Sequence, residues 1–198
     1  MNEILVLYYS KSGSVKEMAS LIARGINSVD GAQARIRTVP EIFPDTKKQT
    51  ASIPDSGSLY VTLDDLENCS GLALGSPTRF GNMAAPLKYF LDTATTAWIK
   101  GSLENKPACV FTSSGSIHGG NESTLLAMQL PLFHLGMIVM GIPNSVPSLS
   151  SSSAGGTPYG ASHVGGGKND NPITEDEKKI CIAQGVRLAE VAKKINSK

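Results

Sequence analysis

The residues that decide the fold are Ile4-Leu5-Val6-Leu7-Tyr8-Tyr9, followed at once by Ser10-Lys11-Ser12-Gly13-Ser14 and then by the segment Lys16–Ser28. The apolar run is continuous, not alternating. That pattern marks a strand covered on both faces, as in a parallel sheet. In the next segment Met18, Leu21, Ile22 and Ile26 share one face, the periodicity of an amphipathic helix. A buried strand, a loop of small hydroxyl residues and a helix begin a βα unit.

Further along the chain, Gly71–Gly75, Ala108–Phe111 and Met137–Met140 are also continuous apolar runs and read as strands. Gln33–Val39 alternates, with Ala34, Ile36 and Thr38 opposed to Arg35 and Arg37, and reads as an edge strand. Helical periods occupy Asn82–Thr95 and Glu122–Leu135, and Pro131 is expected to kink or break the second. A short helix is expected at Leu63–Asn68, and a last one opens on the capping-box pattern Thr174-Glu175-Asp176-Glu177. Strands alternating with helices imply right-handed crossovers and an α/β doubly wound parallel sheet. Five strands favour the flavodoxin-like order 2-1-3-4-5 with helices on both faces. The length predicts one domain over residues 1–198. Pro40–Thr62 and Gly141–Pro172 fit no element, and loops that long are usually functional or disordered.

Composition excludes several classes. Lys+Arg is 18 against 17 Asp+Glu, a net charge of +1, without the basic excess of a nucleic-acid binder or a polybasic membrane-surface protein. The longest apolar stretch, Leu130–Met140, is interrupted by His134 and falls well short of the ~20 residues of a membrane span. The amino terminus lacks the basic start of a signal peptide. Cys69, Cys109 and Cys181 form no CxxC pair and read as small buried hydrophobes in a reducing compartment. A cytoplasmic protein with no integral membrane contact and no nucleic-acid partner is expected.

The chain is nevertheless rich in turn formers, with 20 Gly and 11 Pro. In an open α/β sheet, ligands bind beyond the carboxyl ends of the strands. Three loops fall there: Ser10–Ser14, Ser76–Asn82 and Thr112–Gly120. The first has the composition of a phosphate cradle ahead of a helix amino terminus, although the same serines would serve an N-cap turn. It matches neither a Walker loop nor GxGxxG, and strand one ends without the aspartate of a response regulator. One phosphate loop and two further loops on one edge suit a mononucleotide with a planar head, and flavin mononucleotide (FMN) fits. Thr78 and Phe80 would offer backbone N–H groups and an apolar edge to the ring, and Arg79 would offset charge there or form a surface salt bridge. Trp98, expected in a loop near strand four, is either core packing or an aromatic wall for a flat substrate. Spacing alone makes His134 a hydrogen-bonded core histidine. His118 and His163 have no Cys, Asp or Glu at ligand spacing, so no metal site is expected. No Gly-x-Ser-x-Gly elbow suggests a hydrolase.

Val6-Leu7-Tyr8-Tyr9-Ser10, Gly75-Ser76-Pro77-Thr78-Arg79-Phe80-Gly81-Asn82-Met83 and Gly155-Gly156-Thr157-Pro158-Tyr159-Gly160-Ala161 carry a resemblance over essentially the whole chain. The sequence resembles the WrbA-type NAD(P)H:quinone oxidoreductases, flavodoxin-like FMN enzymes. The resemblance implies FMN at Ser10, Lys11, Ser12, Gly13, Ser14 and Val15 for the phosphate. It implies Thr78, Arg79 and Phe80, and Ser113, Ser114, Gly115, Ser116, Ile117, His118 and Gly119, for the ring. It further implies a flavin contact at His134, a substrate-lining role for Trp98 and a border role for the Gly141–Pro172 loop. The implied activity is two-electron, ping-pong reduction of quinones to hydroquinones with NADH or NADPH as donor, in a homotetramer whose subunits share active sites. Two positions depart from the family pattern: Ser12 stands where Tyr is frequent, and Ile117-His118 interrupt and lengthen a glycine run. A one-electron flavodoxin-type carrier and a flavin-binding regulatory or scaffold protein are the alternatives. The near-zero charge disfavours the carrier, which would present an acidic docking face.

Overall fold

The computed structural model describes residues 1–43 and 53–197. Strands β1 (Asn2–Tyr8), β2 (Ala32–Thr38), β3 (Gly71–Pro77), β4 (Pro107–Ser114) and β5 (Ile138–Val139) form a parallel sheet in the order β2-β1-β3-β4-β5. β1 follows the period-2 rule of a strand buried on both sides. Ile4, Val6 and Tyr8 enter one core with helices α1 (Ser14–Asn27) and α7 (Glu175–Asn196). Leu5, Leu7 and Tyr9 enter the other, with α3 (Ala85–Thr93) and α5 (Asn121–His134). β2 lies at the edge, and its Arg35 and Arg37 bind Asp65 at 2.8 and 3.1 Å. Asp65 also closes the capping box on Thr62 that starts α2 (Leu63–Asn68).

The fifth strand is split. β5 covers only Pro107 and Ala108 of β4, while β6 (Ala161–Val164) pairs in parallel with Phe111–Ser114. Residues 140–160 loop out between the two halves and carry α6 (Pro147–Ser151). The Gly141–Pro172 segment therefore contains a strand and a helix that hydropathy does not show. β6 reads Ala-Ser-His-Val, and its polar side chains are buried because they are bonded: Ser162 Oγ accepts Gly156 N (2.7 Å), and His163 Nδ1 meets Glu177 at 3.1 Å.

Helix boundaries differ from expectation for local reasons. The Asn82–Thr95 period becomes α3 and a short α4 (Thr95–Ile99), because Asn82 is consumed in a turn with Arg79. Trp98 therefore lies in a helix and not in a loop. α5 runs through Pro131 unbroken. The ring removes one amide donor, but the Pro131 carbonyl still accepts Leu135 N at 3.0 Å, within the last turn. α1 and α7 cross at two glycines: a Cβ on Gly25 would fall 2.2 Å from Ile182 O, and one on Gly185 2.1 Å from Ile22 O. Among the described residues no helix is long and apolar enough to cross a membrane.

Candidate cofactor-binding site

The three sequence-marked loops converge at the carboxyl edge of the sheet around a cleft of about 310 Å³. Its walls are Ser10, Lys11, Ser12, Ser14 and Val15 from the first loop, Pro77, Thr78 and Arg79 from the second, and Ser113, Ser114 and Gly115 from the third. Gly13 sits in the first loop as the N-cap of α1, at φ 104. Gly13 N donates to Ser10 Oγ (3.2 Å), and Glu17 N, the first amide of the helical ladder, donates to Gly13 O. The amides of Ser14, Val15 and Lys16 therefore have no partner within the helix. Of these residues Ser14 and Val15 line the cleft, which lies by the positive end of the helix dipole.

The second loop is a tight turn. Arg79 N donates to Asn82 O (2.7 Å) and Asn82 N to Arg79 O (3.1 Å). Phe80 and Gly81 between them have φ 54 and 77, the signs of a type I′ turn. Phe80 projects its ring wholly into solvent. Thr78 is held by two bonds: its N–H donates to Ser113 O (2.9 Å), and its hydroxyl accepts from Thr124 Oγ1 (2.7 Å). In the third loop Ser114 Oγ donates to Ser116 O (2.7 Å), while Ile117 and His118 are exposed beyond the cleft.

Trp98 and His134 are close to each other but not to this cleft. Together they line a second hollow of about 350 Å³ with Leu91, Thr95, Pro131 and Leu135. That hollow lies at the amino-terminal edge of the sheet. α5 ends there beneath β4, where Asn105 N donates to Gly136 O (2.9 Å). The cleft lies at the other end of β4, which at ~3.3 Å per residue is roughly 23 Å away. His134 is exposed and not a core histidine.

Sequence reasoning missed several wall residues. Gly166, Gly167 and Asn169 close the cleft from the segment after β6; the Gly165-Gly166-Gly167 run was the available signal. Tyr9 was also missed. It lines an adjoining hollow with Glu41, Arg79, Asn82 and Lys88. Its hydroxyl donates to Glu41 Oε1 (2.9 Å), and burial, reinforced by that bond, pushes its pKa up to about 12.

The residues fit an anionic mononucleotide. Among the described residues the cleft wall contains the cations Lys11 and Arg79 and no carboxylate; Glu41, outside the wall, lies 3.7 Å from Lys11, and Ser14 and Val15 bring the start of α1 to the cleft. Fold and site together define a flavodoxin-like, mononucleotide-binding α/β protein. The profile of the NADPH-dependent FMN reductase family matches residues 3–148, and the chain belongs to that family. It is 38% identical to the NAD(P)H dehydrogenase (quinone) of Geobacter sulfurreducens, with 98% of each chain covered. It is 38% identical to the protein of the same name from Syntrophobacter fumaroxidans, again with 98% of each covered. In fold it resembles a flavodoxin, WrbA-like protein from Agrobacterium tumefaciens, with a TM-score of 0.68 at 19% identity over 98% and 99% of the two chains. Flavodoxin 1 of Bacillus cereus superposes with a TM-score of 0.61 at 16% identity over 96% and 98% of the two chains.

Proposed function

We infer that the protein is an FMN-dependent NAD(P)H:quinone oxidoreductase. The observation that carries this is the cation-bearing cleft at the sheet's carboxyl edge, whose described lining residues include no carboxylate, in a chain related over its full length to NAD(P)H dehydrogenases (quinone). Ser10–Val15 hold the phosphate through helix-start amides and hydroxyls. Thr78–Phe80 and Ser113–Gly119 border the ring. FMN, when bound, supplies the hydride chemistry, and the protein supplies position and electrostatics. Arg79 opposes negative charge at the ring edge, and Thr78 is fixed for ring contact by Ser113 and Thr124. The overall change is NAD(P)H plus a proton plus quinone giving NAD(P)⁺ plus hydroquinone. One open face receives first the nicotinamide and then the quinone, in ping-pong order.

We also propose a cytoplasmic homotetramer with shared sites, each chain being one domain over 1–198. Three observations support site sharing. Trp98 and His134 lie at the far edge from the cleft of their own chain. Both sit beside an exposed apolar face of α5, where Leu126, Leu130 and Phe133 are 44%, 62% and 56% exposed. Their hollow is open and part apolar. A neighbouring copy can set Trp98 over the ring as an aromatic wall, and His134 beside it to steady the cofactor or to pass a proton. The test of the activity is dialysis and reconstitution: oxidation of NADH or NADPH with benzoquinone disappears when FMN is removed and returns when it is added. No FMN-dependent turnover with either donor would contradict the assignment.

A further inference from the structure

The fourth wall of the cleft is built by a segment outside the residues matched by the family profile, which end at 148. After β6 the chain forms a strap over residues 165–171. It is tied to β4 by Gly165 N donating to Ser114 O (2.8 Å), and closed on itself by Asn169 N to Gly166 O and Asn171 N to Gly165 O, both 2.9 Å. Asn171 Nδ2 adds a bond to Val164 O (3.2 Å). Asn169 sits at φ 58, a left-handed conformation that asparagine tolerates better than most residues. Its amide is oriented by packing. Oδ1 lies where a Cβ on Gly165 would be only 2.4 Å away, and Nδ2 donates across the cleft to Ser12 Oγ.

We propose that Asn169 is a positioning residue for the phosphate of FMN, acting through Ser12. This rests on the reading of the cleft as the FMN site. A serine hydroxyl both donates and accepts. With Asn169 donating to its oxygen, Ser12 keeps its own proton for the anion. The amide nitrogen also carries a second proton. The strap thereby converts a hydroxyl of either polarity into a donor, on a loop whose other groups facing the phosphate are also donors. Together with the Gly165–Ser114 bond, the contact links β4 to the first loop through the strap.

The test is a titration of apoprotein with FMN and with riboflavin, followed by flavin fluorescence quenching. Riboflavin lacks only the phosphate. The wild-type chain is expected to bind FMN more tightly than riboflavin. Asn169→Gly keeps the left-handed backbone and is expected to weaken FMN about tenfold, the worth of one hydrogen bond to a charged group, while leaving riboflavin unchanged. Asn169→Asp accepts the Ser12 proton and adds a negative charge, so it should weaken FMN further. In a Ser12→Ala background, Asn169→Gly should cost less than in the wild type, because the two act as a pair. Unchanged FMN affinity in Asn169→Gly would overturn the proposal. So would an equal loss of FMN and riboflavin, which marks a structural role. A wild-type chain that does not distinguish the two flavins would instead sink the cleft assignment itself, and this inference with it.

Discussion

Phe80 works against the stability of its own chain. It occupies the first central position of a type I′ turn, where Asn, Asp and Gly are favoured, at φ 54 and with its ring fully exposed. A non-glycine residue there costs roughly 1–3 kcal/mol, and no burial within the chain offsets it. Such strain concentrates where a ligand or partner uses the residue. Phe80→Asn is therefore expected to raise the Tm of the flavin-free chain by ~2–4 °C while lowering kcat/KM for quinone; a lower Tm would contradict the strain argument. At this scale the chemistry of the cleft was largely legible. Hydroxyls, glycines and Arg79 declared themselves by composition and by falling after strands. Asn169 did not, because an isolated amide in a polar loop has no periodicity and its partner Ser12 is 157 positions away. Nothing in the sequence indicated which edge Trp98 and His134 occupy.

Among the elements, Glu177 is the main tie. At the start of α7 its carboxylate accepts from Thr174 N (2.7 Å), Gly155 N (2.9 Å) and Val164 N (3.3 Å), and faces His163 Nδ1 at 3.1 Å. Burial alone would raise its pKa, but the His163 contact and these amides more than offset that and hold it below the usual range. Glu177→Gln keeps the size but turns a donor toward donors, and is expected to cost about 2–4 kcal/mol in urea unfolding; a loss below ~1 kcal/mol would show that the tie is weak. Asp65 is the second such anchor. Burial pushes it up, but Thr62, Arg35 and Arg37 bring it down from 3.8 to about 2. A depressed carboxyl stabilises above its unfolded pKa and loses that contribution as pH falls through its folded one. Wild-type stability should therefore fall more steeply between pH 4 and 2 than that of Asp65→Asn; parallel curves would contradict the role of the arginines. Gly185→Ala should cost about 1–3 kcal/mol through overpacking against α1. Elements with a strong period or a capping box, β1, α1, α2 and α7, could be read from the sequence. The split fifth strand could not, because β6 buries polar residues whose burial depends on Glu177 and Gly156, known only once the chain is folded.

At the scale of the molecule, the cleft and the Trp98–His134 hollow lie at opposite edges of one sheet, and the proposed sharing of sites makes each a half-site. The cleft holds the cofactor groups; the hollow with Trp98 and His134 adjoins an α5 face too apolar to be left in water comfortably. Leu130→Lys should yield monomers by sedimentation and a large loss of quinone reduction, with FMN still bound through its phosphate; full activity in the monomer would contradict shared sites. The most direct test joins the chemistry to this architecture. Ser12→Asp repels the phosphate, and Trp98→Ala removes the proposed aromatic wall; each variant on its own should be nearly inactive in benzoquinone-dependent NADH oxidation. Unfolded together and refolded as mixed oligomers, they should regain about a quarter of wild-type activity, since a random neighbour restores a complete site that often in a closed symmetric assembly. No recovery on mixing, in oligomers shown to contain both chains, would contradict a flavin site built from two subunits.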